Sequence, residues 1–338
     1  MSKFKDKAIN FFKDETVLVV SSILAILSCF FVKPNINYLN YINWNTIILL
    51  FVIMIIVEVL KNLTVFELLV RKLITKIKNT RQLLLILIFI CFFSSIFITN
   101  DVSLIIFVPF AIMALKKLKR ADLIIVTVSL QTIAANVGCM VLPTGSPHNI
   151  VLYTLSNISF ETFFMILLPF VVVSVIFLLV VVLLIPKGDM ILPEVGMVHF
   201  SKRHFFRRIF LGVDYYLLLT FVALFILIGN LENIPFLSEL FKGWIVGNEL
   251  ICGIIMSQFI SNVPTAILLS SFGNNIKDII IGDNLGGFGT LIASMANLIS
   301  YNIIIREYGE YKLRYLLIFT LLNIVLLILL VVVNVFVN

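Results

Sequence analysis

Apolar runs of membrane-spanning length dominate the chain, and the polar residues between them fall in short clusters. Spans are predicted at about 17–32, 46–62, 163–186, 210–230 and 315–337, because a helix needs roughly 20 mostly apolar residues to cross a bilayer. Two runs depart from this pattern. The run 83–115 is interrupted by Thr99, Asn100 and Asp101, and the run 244–272 by Ser261, Asn262, Val263 and Pro264. Each arm of the first is only about 16 residues, short for a crossing, so a re-entrant hairpin with its polar tip inside the protein is predicted. The alternative places 99–101 in an external loop. Two more segments read as broken helices. The stretch 122–153 is too long for one simple helix, and Leu142-Pro143-Thr144-Gly145-Ser146-Pro147 would unwind it; the stretch 284–304 is glycine-rich. The expected fold is an all-α integral membrane protein of about eight transmembrane helices plus two re-entrant hairpins, ten or eleven hydrophobic segments in all.

Composition agrees: 61% hydrophobic residues against 13% charged, with a mean hydropathy of +1.14, leaves too little polar surface to solvate a 338-residue globule. A soluble enzyme is excluded. Charge placement then gives a topology. The segments 3–13, 71–81, 116–120, 187–208 and 306–314 hold 21 of the 25 Lys and Arg, and by the positive-inside rule they are cytoplasmic. The connections 33–45, 154–162, 231–243 and 273–283 carry just Lys33, Lys242 and Lys277, and are expected outside. The amino terminus is thus cytoplasmic, the carboxyl terminus external. Residues 1–15 read as a retained amphipathic lead-in, since no small-residue cleavage site follows them.

Internal repetition sharpens this picture. Laying 97–103 over 259–265 matches Phe97 with Phe259, Ile98 with Ile260 and Asn100 with Asn262, with a hydroxyl residue beside each asparagine. A second gapless match sets 136–153 against 284–301 and pairs Asn136/Asn284, Gly138/Gly286, Ser146/Ser294, Asn149/Asn297 and Tyr153/Tyr301. The charge map gives the two hairpins opposite orientations, the mark of an inverted-topology repeat whose broken helices meet near the bilayer midplane. The chain is divided accordingly: 1–45, lead-in and first span; 46–186, first repeat with tip 99–101 and broken helix 122–153; 187–208, a basic linker; 209–338, second repeat with tip 261–264 and broken helix 284–304.

Singly, Ser, Thr, Asn and Gly at membrane depth are ordinary packing residues. As two matched sets at helix breaks they are candidate substrate- and ion-binding residues: Thr99, Asn100, Asp101, Thr144, Gly145, Ser146, Asn149, Ser261, Asn262, Thr265, Gly289, Thr290, Ser294 and Asn297. Half-helix amino termini favour anions there and unwound carbonyls favour cations. Asp101 is a candidate for coupling to a cation or proton, because an ionisable group at this depth is expensive to retain. His148 could titrate, contact an anion or cap the following half-helix. Glu58 is explained by an i,i+3 pair with Lys61, and His199 and His204 by a solvated basic loop. Cys29, Cys91, Cys139 and Cys252 lack metal-ligand or disulfide spacing and read as packing residues; no structural metal site is expected. There is no phosphate-binding loop for ATP, so an ion gradient remains as the energy source. A serine hydrolase using Ser146 or Ser294 with His148, and a passive channel, are distant alternatives.

These motifs resemble the ion transporter superfamily that includes arsenite permeases, NhaD-type sodium/proton antiporters, and citrate and dicarboxylate/sulfate carriers. Ile42-Asn-Trp-Asn-Thr-Ile-Ile48 looks like that family's early span, Thr99-Asn-Asp-Val its first tip, Pro143-Thr-Gly-Ser-Pro-His-Asn-Ile150 its first unwound helix, and Ser261-Asn-Val-Pro264 its second tip. The stretch 286–298 is closest to the arsenite-permease and NhaD-like branch and to small bacterial inner-membrane anion permeases. The resemblance implies that Thr99 to Asp101, Thr144 to Ser146, Ser261, Asn262, Thr290 and Ser294 hold sodium and substrate. It implies a secondary active transporter of a small inorganic or organic anion, with Na+ or H+ as the coupling ion, in a bacterial-type inner membrane. Sodium/proton antiport or arsenite efflux is the alternative. Expected partners are the small-ion substrate and the lipid bilayer, with a homodimer left open, and no nucleic acid or further cofactor. Two departures, Ser-Asn-Val-Pro in place of the Ser-Asn-Thr of dicarboxylate carriers and the absence of their proline-rich second break, argue against a di- or tricarboxylate.

Overall fold

The outermost helices show most directly what the chain folds against. In the computed structural model, which describes residues 15–62, 77, 79–188 and 205–337, the 25-residue helix Phe160–Leu184 exposes Met165, Val172, Ile176, Val180 and Leu183, while Lys312–Val337 exposes Leu313, Leu317, Leu321, Ile328 and Val335. The interior meanwhile holds Ser95, Asn100, Gln131, Thr132, Asn136, His148, Asn149 and Asp283. Apolar outside and polar inside is the arrangement lipid selects.

We number the principal helices α1 (Thr16–Ser28), α2 (Trp44–Asn62), α3 (Thr80–Phe97), α4 (Asn100–Lys117), α5 (Ile124–Gly138), α6 (Pro147–Ser156), α7 (Phe160–Leu184), α8 (Tyr215–Glu232), α9 (Pro235–Ile245), α10 (Glu249–Ile260), α11 (Asn262–Phe272), α12 (Ile276–Gly286), α13 (Met295–Tyr308) and α14 (Lys312–Val337). Among the described residues, five segments are long and apolar enough to cross a membrane: α3, 121–138, α7, α8 and 295–337. A sixth is counted if α9 and α10, bent by 111°, form one span.

The arms α3 and α4 pack on each other and on α5, as α10 and α11 pack on each other and on α12. The first pair has 18 residues per arm. The second has 12 and 11, so each arm rises about 17–18 Å, well short of a roughly 30 Å hydrocarbon core, the length a re-entrant hairpin would have. Proline starts α6, and the Ser146 hydroxyl accepts from Asn149 N to cap it.

Three expectations are corrected. The connection 273–283, read as an external loop, is helical from Ile276, and Ile279 to Gly286 are buried. The second broken helix therefore runs 276–308 with its break at 287–294, instead of starting at 284. The connection 231–243 contains the amphipathic helix α9 rather than a plain loop. Glu58 is buried with its carboxyl against the backbone of Gly212; the Lys61 side chain lies outside the described residues, as do the lead-in 1–14, most of the basic stretch 71–81, and His199 and His204.

Candidate functional site

Where the two breaks face each other, paired asparagines cross between the two halves of the chain. Asn136, in the last turn of α5, donates from Nδ2 to Asn297 Oδ1 at 2.9 Å. Its repeat partner Asn284, in the last turn of α12, donates to Asn149 Oδ1 at 2.7 Å. Each acceptor then uses its own amide to bind a carbonyl ten residues back in its own break: Asn297 to Gly287 O at 3.1 Å and Asn149 to Cys139 O at 3.0 Å. Under the register 136–153 over 284–301 these bonds exchange one for one. Buried amides in a medium without water must find such partners.

The hairpin tips join this frame differently. Asn100 opens α4 and donates to Asn136 Oδ1 at 3.0 Å, which also accepts from Ser294 Oγ at 3.4 Å. Asn262 opens α11, yet its amide reaches His148 Nδ1 at 3.0 Å. An amide N–H only donates, so Nδ1 accepts and the ring proton sits on Nε2, facing Ser146 Oγ at 3.3 Å and Asn284 Oδ1 at 3.4 Å. His148 thus bridges the second tip to the frame. The Asn262 backbone N–H also binds Ala293 O at 3.0 Å, clasping the tip to the second break.

Not every candidate is central. Asn100, Ser146, His148, Asn149, Asn262, Ser294 and Asn297 are buried and joined. Thr290 is exposed and hydrogen-bonds to Gln258, against whose side chain Gly289 (φ 122°) also packs. The Thr265 hydroxyl donates back to Ser261 O at 2.9 Å, as hydroxyls inside helices do. Thr99 and Thr144 are half-buried, and Gly145 sits on the backbone of Cys139. Asp101 is half-buried beside Asn100, with Oδ1 buried and without a hydrogen bond. Ser261 has φ 71° and ψ 156°, a strained conformation for a residue with a side chain.

Sequence reasoning left out Asn136 and Asn284, although it had aligned them, and it missed Gln131, Gln258 and Asp283. Gln131 Nε2 ties α5 to both arms of the first hairpin through Leu87 O and Phe107 O. Gln258 Nε2 binds Gly286 O and Phe288 O at the second break. Glutamine at membrane depth was the available signal. Among the described residues no group of three His, Cys, Asp or Glu is placed to hold a metal ion. A cleft of about 510 Å³, lined by Asn40, Tyr41, Asn43, Trp44 and Glu232 among others, opens beside the first turn of α2.

The amino-terminal residues of α4, α6, α11 and α13 are joined here by side-chain hydrogen bonds to the last turns of α5 and α12 and to one another. Comparison with known proteins points the same way. The chain is 30% identical over 306 residues to an uncharacterized transporter of Methanocaldococcus jannaschii, covering 78% of this chain and 82% of that protein. It is 29% identical over 304 residues to the inner membrane protein YbiR of Escherichia coli, covering 77% and 79%. A transporter designated arsB in Dictyostelium discoideum is 29% identical over 154 residues, 45% of this chain and 26% of its own length. The family model described as citrate transporter matches residues 13–273, and the chain belongs to that family of multi-pass membrane transporters.

Proposed function

We propose that this transporter is secondary active, carrying a small inorganic or organic anion together with Na+ or H+ by alternating access, the two halves forming inverted repeats. One observation carries the reading: two crossing asparagine pairs, with Asn100 bonded to Asn136 and Asn262 to His148, draw the amino termini of four half-helices to a single polar network. No Lys or Arg enters that hydrogen-bonded network, so an anion would be held by N–H groups and helix dipoles. Thr99 to Asp101 and Ser261 to Asn262 at the tips, Thr144 to Ser146 and Asn149 at the first break, and Gly289, Thr290, Ser294 and Asn297 at the second are the candidate contacts, with Thr265 behind the second tip. Asp101 and His148 are its candidate titrating groups. By the positive-inside rule the amino terminus is cytoplasmic and the carboxyl terminus external, so the cleft beside α2 opens outward.

The test is thermal unfolding of the purified protein across a matrix of oxyanions and carboxylates (sulfate, phosphate, arsenite, citrate, succinate) and of Na+, Li+, K+ and pH, since a ligand that binds only the folded state raises its stability. Stabilisation by an anion that is lost in Asn100→Ala and Asn262→Ala supports the reading; stabilisation by Na+ or Li+ with no anion effect overturns it. A second reading, metalloid efflux, draws on the relative designated arsB and on the buried Cys139 thiol at the first break, which donates to Asn136 O. Stabilisation by arsenite alone would favour it.

A further inference from the structure

Asp283 is fully buried in the last turns of α12, and neither of its carboxylate oxygens has a hydrogen bond. It lies beyond residues 13–273, the part of the chain matched by the family model. The helices α10 and α12 meet there on small residues. A Cβ on Gly253 would stand 2.6 Å from Gly282 C and 2.8 Å from Asp283 N, and one on Gly286 would stand 2.6 Å from Gly253 O. One turn along the same seam, the fully buried Ser257 hydroxyl has no partner either. Side-chain oxygens without partners on both faces of a close-packed seam are not a packing device, because each is left desolvated and unpaid.

We propose that Asp283 is a proton-carrying site of the transport cycle, an inference that rests on the coupled-transport reading and names its coupling ion as H+. The unpaired oxygens have too few neighbours for a metal cation. Na+ needs several oxygens around it, and among the described residues Asp283 belongs to no group of three His, Cys, Asp or Glu that could hold a metal ion; of the side chains on the α10–α12 seam, Asp283 and Ser257 leave oxygens unpaired. A proton needs one oxygen. The O–H bond forms at Asp283 when the seam is open to one side of the membrane; it breaks when the seam opens to the other, and the proton passes to bulk water. Asn284, the next residue, makes the cross-pair to Asn149, so the acid is coupled by one peptide unit to the substrate frame.

The titratable and charged groups on the elements packed against α12 are few. The helix α6 carries His148, whose ring bridges Asn262 and Asn284, and Tyr153, which packs edge-on against Phe163; Cys139, capping α5, donates its thiol to Asn136 O. On α10, Glu249 is held by the backbone N–H groups of Gly247, Asn274 and Asn275, and Cys252 is half-exposed. Glu161 on α7 is exposed, α14 carries Lys312, Arg314 and the buried Tyr315, and α11 carries none; Lys277 and Asp278 stand on the first turn of α12 itself. None of these is hydrogen-bonded to Asp283.

Infrared difference spectroscopy of the purified full-length protein in lipid vesicles, between acid and alkaline pH, reads the carbonyl stretch of a protonated carboxylic acid without knowledge of the substrate. We expect a band at neutral pH that persists in Asp101→Asn and is lost in Asp283→Asn. Thermal stability should fall as pH rises, because a carboxyl held protonated in the fold releases its proton on unfolding, and Asp283→Asn should flatten that slope. Wild-type protein without a neutral-pH band, or a band wholly lost in Asp101→Asn, overturns the proposal even if Asp283→Asn fails to fold. If the Asp283 band appears while no anion stabilises the protein, the proton site stands and the anion reading falls.

Discussion

The seam of α3 with α5 and the seam of α10 with α12 share a plan and differ in what they leave unpaired. Carrying the tip and break registers back along the arms sets Gly138 and Ser95 of the first against Gly286 and Ser257 of the second. In both, a helix glycine admits the facing backbone and serine: a Cβ on Gly138 would overlap Phe92 O and Ser95 Oγ, and one on Gly286 would overlap Gly253 O and Ser257 Oγ. The same registers place Cys91 and Ala135 where the second seam has Gly253 and Asp283. In the first seam Ser95 donates to Phe92 O at 3.0 Å and Ala135 asks for nothing. In the second, Ser257 and Asp283 are both unsatisfied. Helices packed equally closely can thus differ in function: one is chemically complete, and the other calls for something from outside.

Three sets of substitutions sharpen or break this contrast. The largest effect is expected at the glycines. Gly138→Ala should cost about 3 kcal/mol or prevent assembly, and Gly286→Ala about 2 kcal/mol, because a Cβ at 138 meets the backbone of Phe92 more closely than one at 286 meets Gly253, and Ser95 is tied to Phe92 O whereas the Ser257 hydroxyl has no bond to break in turning aside. Thermal unfolding with size-exclusion monitoring ranks them, and the reverse order would remove the distinction between the seams. Next come the crossing amides. Asn136→Ala strips partners from Asn100, Ser294 and Asn297, and should destabilise by about 2 kcal/mol; Asn284→Ala strips Asn149 and His148, for about 1 kcal/mol. Both should abolish stabilisation by anions, and retention of it in either would detach the frame from binding. Smallest is the serine pair. Ser95→Ala should cost about 1 kcal/mol, whereas Ser257→Ala, which deletes an orphan hydroxyl, should be near neutral or stabilising. Equal losses would mean that Ser257 has a partner in the membrane.

The tips and the first break were legible in the residues because interruptions of long apolar runs are rare events in a membrane chain: Asn100, Asn262 and Pro143 to Pro147 stand out against Leu and Ile. The helix α12 was not legible. Asn274, Asn275, Lys277, Asp278, Gly282 and Asp283 give it the look of a loop, and it holds its fold by being enclosed on all sides rather than by an apolar face. The signal was nevertheless present. Asn136 ends a helix, so its match Asn284 should end one too, and extending the register backwards would have placed both α12 and Asp283. His148 was ambiguous for a different reason, since only the fold brings the second tip's amide to its ring. The glycine seams are likewise invisible until the facing backbone is known.

The crossing pairs also bear on how the chain is made. Asn136 finds its acceptor 161 residues later, and Asn149 its donor 135 residues later. Synthesis is directional, so in the half that leaves the ribosome first Asn136 Nδ2 and Asn149 Oδ1 have no native partner until the half that follows is inserted. Lipid offers such groups no substitute. The polar centre is therefore completed only when both halves are in place, which ties the stability of the first half to the arrival of the second.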